Sequence, residues 1–178
     1  ILSSAASDVY KRQLLLDANE FSLYSILNEL ETLQNDLDLE IVPILASIQN
    51  REKISILLNT WKPDTIYHAA AYKHVPIVEQ NLAEGLKNNV FGTFVIAEES
   101  IKSKVSNFVF ISTDKAVRPT SVMGASKRLG EMILQALYDK KSSKEITKFS
   151  MVRFGNVLDS SGSVIPKFRK QIKDRMPI

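Results

Sequence analysis

Thr113, Asp114 and Lys115 stand in a row directly behind an apolar run at residues 108–111. Ligands of open α/β sheets bind outside the carboxyl ends of the strands. A hydroxyl, an acid and a base in one short loop at that position are equipped for proton transfer. Taken alone, Asp114 and Lys115 more often make a solvated turn with a surface charge pair. Further along, Met123-Gly124-Ala125-Ser126-Lys127 opens a predicted helix with a second lysine. Asp17 closes the run at 14–16, where an acid commonly binds an adenosine ribose or simply forms a turn. Ala69, Ala70 and Ala71 follow the run at 65–68 and are small enough for a dinucleotide to approach the backbone closely, although packing alone also explains them. Lys73 and His74 come in the loop that follows and can face a substrate phosphate or hydrogen-bond the residues that do. Arg153 and Asn156 fall at the end of the last run, and a bidentate contact to phosphate is within the reach of an arginine fork.

The elements that must position these residues alternate. Short apolar runs at 14–16, 41–45, 65–68, 108–111 and 149–152 are strand candidates, apolar nearly throughout, as strands covered on both faces are. Pro43 is awkward in the second. Between them Leu23, Ile26, Leu27, Leu30 and Leu33 recur at helical spacing, as do Ile54, Leu57 and Leu58, then Val90, Phe94, Ala97 and Ile101. Leu129, Met132, Ile133 and Ala136 predict a helix over about 125–138, and Ile165, Phe168 and Ile172 another. Strand-helix alternation of this kind predicts an α/β fold, a Rossmann-like doubly wound parallel sheet. None of the six glycines falls in a G-x-G-x-x-G arrangement, so the first strand and its phosphate-cradling turn are not represented. In the strand order 3-2-1-4-5-6 that strand lies centrally, and its absence leaves two unpaired inner edges.

The chain has 178 residues, 44% hydrophobic and 24% charged, which suits one core and one domain. A net charge of +3, dispersed among 20 acids, accommodates a phosphate-bearing ligand without indicating nucleic acid. With no cysteine there is neither a disulfide framework nor a thiol nucleophile. No metal-ligand spacing is present, and no apolar run approaches the roughly 20 residues of a membrane helix. Residues 1–13 have neither a signal peptide's apolar stretch nor a helix or strand period. They read as a non-native leader or a frayed terminus, leaving 14–178 as a partial NAD(P)-binding domain with the start of a substrate lobe.

The segment STDKAVRPTSVMGASKR (112–128) resembles the catalytic segment of the polysaccharide-biosynthesis dehydratases, the CapD-like group acting on UDP-N-acetylhexosamines. HAAAYKHVP (68–76), NNVFGT (88–93) and RFGNVLDSSGSVIP (153–166) are similar to the group's other signatures, in the same order. The resemblance implies an extended short-chain dehydrogenase-type enzyme with NADP or NAD, and a UDP-sugar as substrate. It implies a reaction in which hydride leaves C4, water is lost across C5 and C6, and hydride returns at C6. Lys115 becomes the C5 base, Asp114 the acid for the C6 hydroxyl, and Lys127 the lysine on the nicotinamide ribose. Asn89 braces the catalytic loops, while Asn156 and a loop including Ser161 and Val164 face the UDP-sugar. Met123 occupies the position of the catalytic tyrosine of related enzymes and has no ionisable proton, so the O4 proton leaves through Thr113 or water. Met at this place is similar to the long, membrane-linked members, which implies a tether to the cytoplasmic side of the inner membrane and a cytoplasmic, homo-oligomeric core in bacterial capsule or O-antigen synthesis.

Some features depart from the pattern. Besides the absent glycine-rich turn, Ala46 and Ser47 replace a usual Gly-Asp, so an adenine contact passes to the Ser47 hydroxyl or is lost. A nucleotide-sugar epimerase, and a noncatalytic nucleotide-binding fragment, are the competing readings; the Asp114–Lys115 pair favours dehydration.

Overall fold

The computed structural model describes residues 12–33, 40–140, 146–155, 157 and 164–174. Five strands form where the apolar runs lie: β1 (Arg12–Asp17), β2 (Glu40–Leu45), β3 (Thr65–His68), β4 (Asn107–Thr113) and β5 (Lys148–Phe154). All pairings are parallel, in two sheets ordered β1-β2 and β3-β4-β5. Among the described residues β1 and β3 are not paired with each other; in the 3-2-1-4-5-6 order expected from the sequence, the first strand would lie between them. Pro43 pairs in register with Leu15. β2 has only β1 as a partner among the described residues, and an edge strand tolerates a residue without an N–H.

The helices are α1 (Glu20–Leu33), α2 (Arg51–Trp61), α3 (Val75–Gln80), α4 (Leu82–Leu86), α5 (Thr93–Lys102), α6 (Val122–Lys140) and α7 (Val164–Lys173), with a π-helical turn at Lys87–Gly92 leading into α5. α2 begins at Asn50, whose side chain accepts from the Lys53 N–H at 3.0 Å, and ends at Lys62 in the left-handed region, φ 45°. Sequence periodicity does not reveal α3 and α4, which are too short to establish a helical repeat.

One core joins both sheets. Ile48, Ile54, Leu58, Ile96, Ala97, Phe108, Phe110 and Leu134 form a buried cluster, against which Leu16 of β1 and Ile66 of β3 also pack. Phe108 and Phe110 are fully buried, and each contributes roughly 1.5–3 kcal/mol through burial. β4 alternates buried and partly buried residues, whereas Met151, Val152 and Phe154 of β5 are exposed. Burial of every strand on both faces therefore does not hold for β5. Among the described residues no helix is long and apolar enough to cross a membrane.

Candidate active site

α6 is the hub of the site. It packs on β4, β5, α3, α4, α5, the π turn and the 3-10 turn Asp114–Ala116. Its first turn is held by the Glu79 carboxylate of α3, which accepts from the Val122 N–H at 2.7 Å. Gly124 allows the closest approach: a Cβ there would lie 2.3 Å from the Lys115 carbonyl oxygen. The Asp114–Lys115 turn therefore rests directly on the helix that carries Met123 and Lys127.

Thr113 ends β4 with extended backbone and caps the turn, its hydroxyl oxygen accepting from the Lys115 N–H at 3.3 Å. That hydroxyl donates to Asp114 Oδ1 at 2.9 Å, and Lys115 Nζ donates to the same oxygen at 3.2 Å. The Thr113 hydrogen bond, followed by that from Lys115, holds the exposed Asp114 carboxyl below its ordinary range. In this state Asp114 is a carboxylate, ready to accept a proton rather than to give one.

Lys127 is only 7% exposed. Its Nζ donates to the Ile111 carbonyl at 2.8 Å and lies 4.6 Å from the Phe110 ring centroid. Burial pulls its pKa down to about 8, against the opposing effect of the Glu131 charge. Met123 is 5% exposed. His68 also stacks on Phe110, at 5.4 Å, and hydrogen-bonds Thr93 Oγ1 at 2.8 Å. Burial, then the charge of Lys127, pushes its pKa down to about 3 and keeps the ring neutral.

Asn89, buried in the π turn, clasps the backbone of Tyr72: it accepts from the N–H at 2.8 Å and donates to the carbonyl at 3.0 Å. Its Nδ2 also donates to Ser126 Oγ at 3.0 Å, and Ser126 donates to the Met123 carbonyl at 2.7 Å. The Ala69–Ala70–Ala71 loop is thereby pinned beside the start of α6. A π turn is a common device where helical side chains must be re-aimed at a functional site.

Asp17 Oδ1 accepts from the Asn19 N–H at 2.7 Å, a local turn, and Ser47 Oγ accepts from the Gln49 N–H at 3.2 Å. Lys73 is exposed, and His74 leads into α3 without a side-chain cap bond. Asn156 and Ser161 lie outside the described residues; Val164 is described only as the first residue of α7. Arg153 directs Nε and Nη2 to Glu131 at 2.8 and 2.7 Å, so the fork that suited a phosphate already holds a carboxylate.

Sequence reasoning passed over Ser112, Ser126 and Glu131. The available signal for Glu131 was its place four residues after Lys127, on the same helix face. A surface hollow of about 370 Å³ is lined by Arg128, Glu131, Gln135, Met151 and Arg153. Thr113, Asp114, Lys115 and Lys127 do not line it. Among the described residues no cluster of His, Asp or Glu is suited to hold a metal ion.

Comparison with known proteins bears on the family and the fold. The family model for polysaccharide biosynthesis proteins matches residues 2–178. The capsular polysaccharide biosynthesis protein CapD of Staphylococcus aureus is 48% identical over 93% of this chain and 27% of its own length. An inverting UDP-N-acetylglucosamine 4,6-dehydratase of Campylobacter jejuni is 34% identical over 72% of this chain and 37% of its own. A UDP-glucose 4-epimerase of Rickettsia canadensis is 46% identical over 62% and 32%. The structure of Pen from Bacillus thuringiensis superposes with a TM-score of 0.81 at 32% identity, covering 92% of this chain and 50% of that one. At 19% identity and a TM-score of 0.71, a dTDP-glucose 4,6-dehydratase from Streptomyces venezuelae, solved with NAD bound, shares the fold over 92% of this chain and 54% of its own. The chain thus spans about a quarter of the length of the first two curated relatives that it matches, the second being 27% covered like CapD. With a Rossmann-type parallel α/β fold and a family match over nearly its whole length, the chain belongs to the polysaccharide biosynthesis protein family.

Proposed function

We propose that this chain is the catalytic core of a nucleotide-sugar 4,6-dehydratase that converts a UDP-N-acetylhexosamine into its 4-keto-6-deoxy derivative. The observation that carries the reading is the Thr113–Asp114–Lys115 turn seated on α6 through Gly124, with Lys127 tied to the same strand end at Ile111. Ala69, Ala70, Ala71 and Lys127 would hold NAD or NADP. The small alanines following β3 and the buried ammonium fit a dinucleotide with a hydroxyl-bearing ribose, and Asp17 stands ready for the adenosine ribose. A bound nicotinamide supplies one reversible hydride acceptor.

The protein's own groups supply the proton transfers. As C4 is oxidised, the O4 proton passes to Thr113, which hands its own to Asp114 along the 2.9 Å hydrogen bond. A nonionisable Met123 is compatible with that route. Protonation of Asp114 removes the negative partner of Lys115. Lys115, having released its ammonium proton to solvent once that partner is neutral, takes the C5 proton made acidic by the adjacent ketone, and Asp114 gives its proton to the departing C6 hydroxyl, which leaves as water. Lys115 returns its proton to C5 as hydride is restored at C6. The net loss is one water; Asp114 ends as the carboxylate it began as, and Lys115 regains from solvent the proton it released.

An epimerase of the same fold needs only C4 redox chemistry and has no use for an acid–base pair at C5 and C6; the Rickettsia relative is the observation favouring that reading. The test uses the intact gene product containing this chain, with UDP-N-acetylglucosamine and NAD or NADP, and product read by NMR. Dehydration gives a 4-keto-6-deoxy sugar, whereas epimerisation gives the C4 epimer. D114N and K115A are each expected to lower turnover by roughly 100-fold or more, the range of one general acid or base. Full turnover in both variants would sink the assignment. Tethering to a membrane and assembly into oligomers belong to the same proposal.

A further inference from the structure

The Glu131 side chain is almost wholly enclosed, with its residue 2% exposed. Its carboxylate receives four hydrogen bonds. Ser112 Oγ donates to Oε1 at 2.7 Å, and Arg153 donates from Nε to Oε1 at 2.8 Å and from Nη2 to Oε2 at 2.7 Å. Arg128 Nη1 donates to Oε2 at 2.8 Å. About four lone-pair sites are all that a carboxylate offers. Arg153, ahead of Ser112 and Arg128, holds its pKa down to about 2 despite burial. Glu131 therefore has neither a vacant acceptor site for substrate nor a proton to transfer.

Stability alone is a poor reason for such a group, because well-packed apolar residues commonly replace buried ionic clusters at no cost. Its position supplies a better one. Ser112 immediately precedes Thr113 at the end of β4, Arg153 lies near the end of β5, and Glu131 sits one helical turn beyond Lys127 on α6. One carboxylate thus ties the two segments that carry the candidate catalytic groups, the end of β4 and α6, to each other and to the end of β5.

We propose that Glu131 is a positioning residue: by locking α6 to the carboxyl ends of β4 and β5, it fixes Lys127 relative to Thr113, Asp114 and Lys115. Its consequence for turnover rests on the dehydratase reading; the tie itself does not. Around Lys127 the titratable and charged groups are Glu131 on its own helix and neutral His68 on β3, with Arg128 and Arg153 bound to the Glu131 carboxylate.

Glu131→Gln keeps the volume but turns an NH2 toward a guanidinium, so at least one arginine contact is lost. Glu131→Asp keeps the charge and withdraws it by one methylene. In the intact gene product, E131Q is expected to lower kcat by roughly 10- to 100-fold with KM for the UDP-sugar nearly unchanged, as misplacement by about 1 Å does. E131D should recover part of the loss. A second measurement needs no turnover: pH-dependent acylation of the Lys127 amine, read by mass spectrometry, should show a midpoint near about 8 in the parent protein and a lower one in E131Q. The proposal is overturned if E131Q, folded to the parent's extent by circular dichroism, keeps both kcat and the Lys127 midpoint, or if kcat falls only as the folded fraction falls. A parent protein that dehydrates no UDP-sugar defeats the functional reading by itself, and the Lys127 midpoint then decides the role of Glu131.

Discussion

His68 sits at the end of β3, 2% exposed, between the ring of Phe110 and the hydroxyl of Thr93. Its folded pKa of about 3 lies below the ordinary 6.5, so the unfolded chain binds the extra proton as pH drops. Stability contributed by neutral His68 is therefore complete above pH 6.5 and is lost as pH falls from 6.5 toward 3, at about 1.4 kcal/mol per pH unit. H68Q retains a polar partner for Thr93 and cannot titrate. Urea unfolding midpoints between pH 7.5 and 5 should decline more steeply in the parent than in H68Q, by close to one proton. Parallel declines would show that His68 is accessible to protons in the folded state. At this scale the Thr113–Lys115 triplet was legible, because its place behind an apolar run exposed it. Glu131 was not, since its meaning comes from Ser112 and Arg153, brought to it by parallel pairing of β4 with β5.

Among the elements, strands were read well because an apolar run bounded by polar residues leaves few alternatives to a strand. Even Pro43 fits, because β2 pairs only with β1 among the described residues. The helix over Val90, Phe94, Ala97 and Ile101 was right in kind and only partly in face: Ala97 is in the core, while Val90, Phe94 and Ile101 are half-buried. The π turn at Lys87–Gly92 inserts an extra residue, and the buried side of α5 holds Thr93, Ile96, Ala97, Glu99 and Ser100. Polar groups are tolerated there because each has a partner: Thr93 with His68, Ser100 with the Ile96 carbonyl, and Glu99 with Arg51 and Lys102. Patterning alone cannot distinguish a satisfied Glu from a solvated one. The junction of α6 with the 3-10 turn gives a sharper test. In G124A the new methyl meets the Lys115 carbonyl oxygen at 2.3 Å, and backbone must move on one side. A loss of about 1–3 kcal/mol is expected from such overpacking. Turnover should fall further than stability explains, because the displaced atoms belong to the Asp114–Lys115 turn. A G124A protein as stable and as active as its parent would show that the turn does not rest on α6.

For the whole molecule the informative feature is the division of the parallel sheet. Among the described residues β1 pairs only with β2, and β3 only with β4, yet Leu16 and Ile66 pack on one core cluster. In the order 3-2-1-4-5-6 expected from the sequence, a glycine-rich first unit would place its strand between the second and fourth strands, here β1 and β3. Each bordering edge presents peptide groups without a ladder partner, and these point alternately toward and away from the neighbouring strand. β4, flanked by β3 and β5, has both rows of its peptide groups paired at residues 107–110. Residue-resolved hydrogen exchange on this chain should therefore find the slowest amides in β4. In β1 and β3, protection should alternate with a period of two, fast on the open side and slow on the paired side. Uniformly slow exchange along both strands would mean that another strand already occupies the gap in solution, whether from residues outside those described or from a second copy, and the divided sheet would not be the state of the protein. Alternation confined to one of the two strands would place such a partner on the other edge alone.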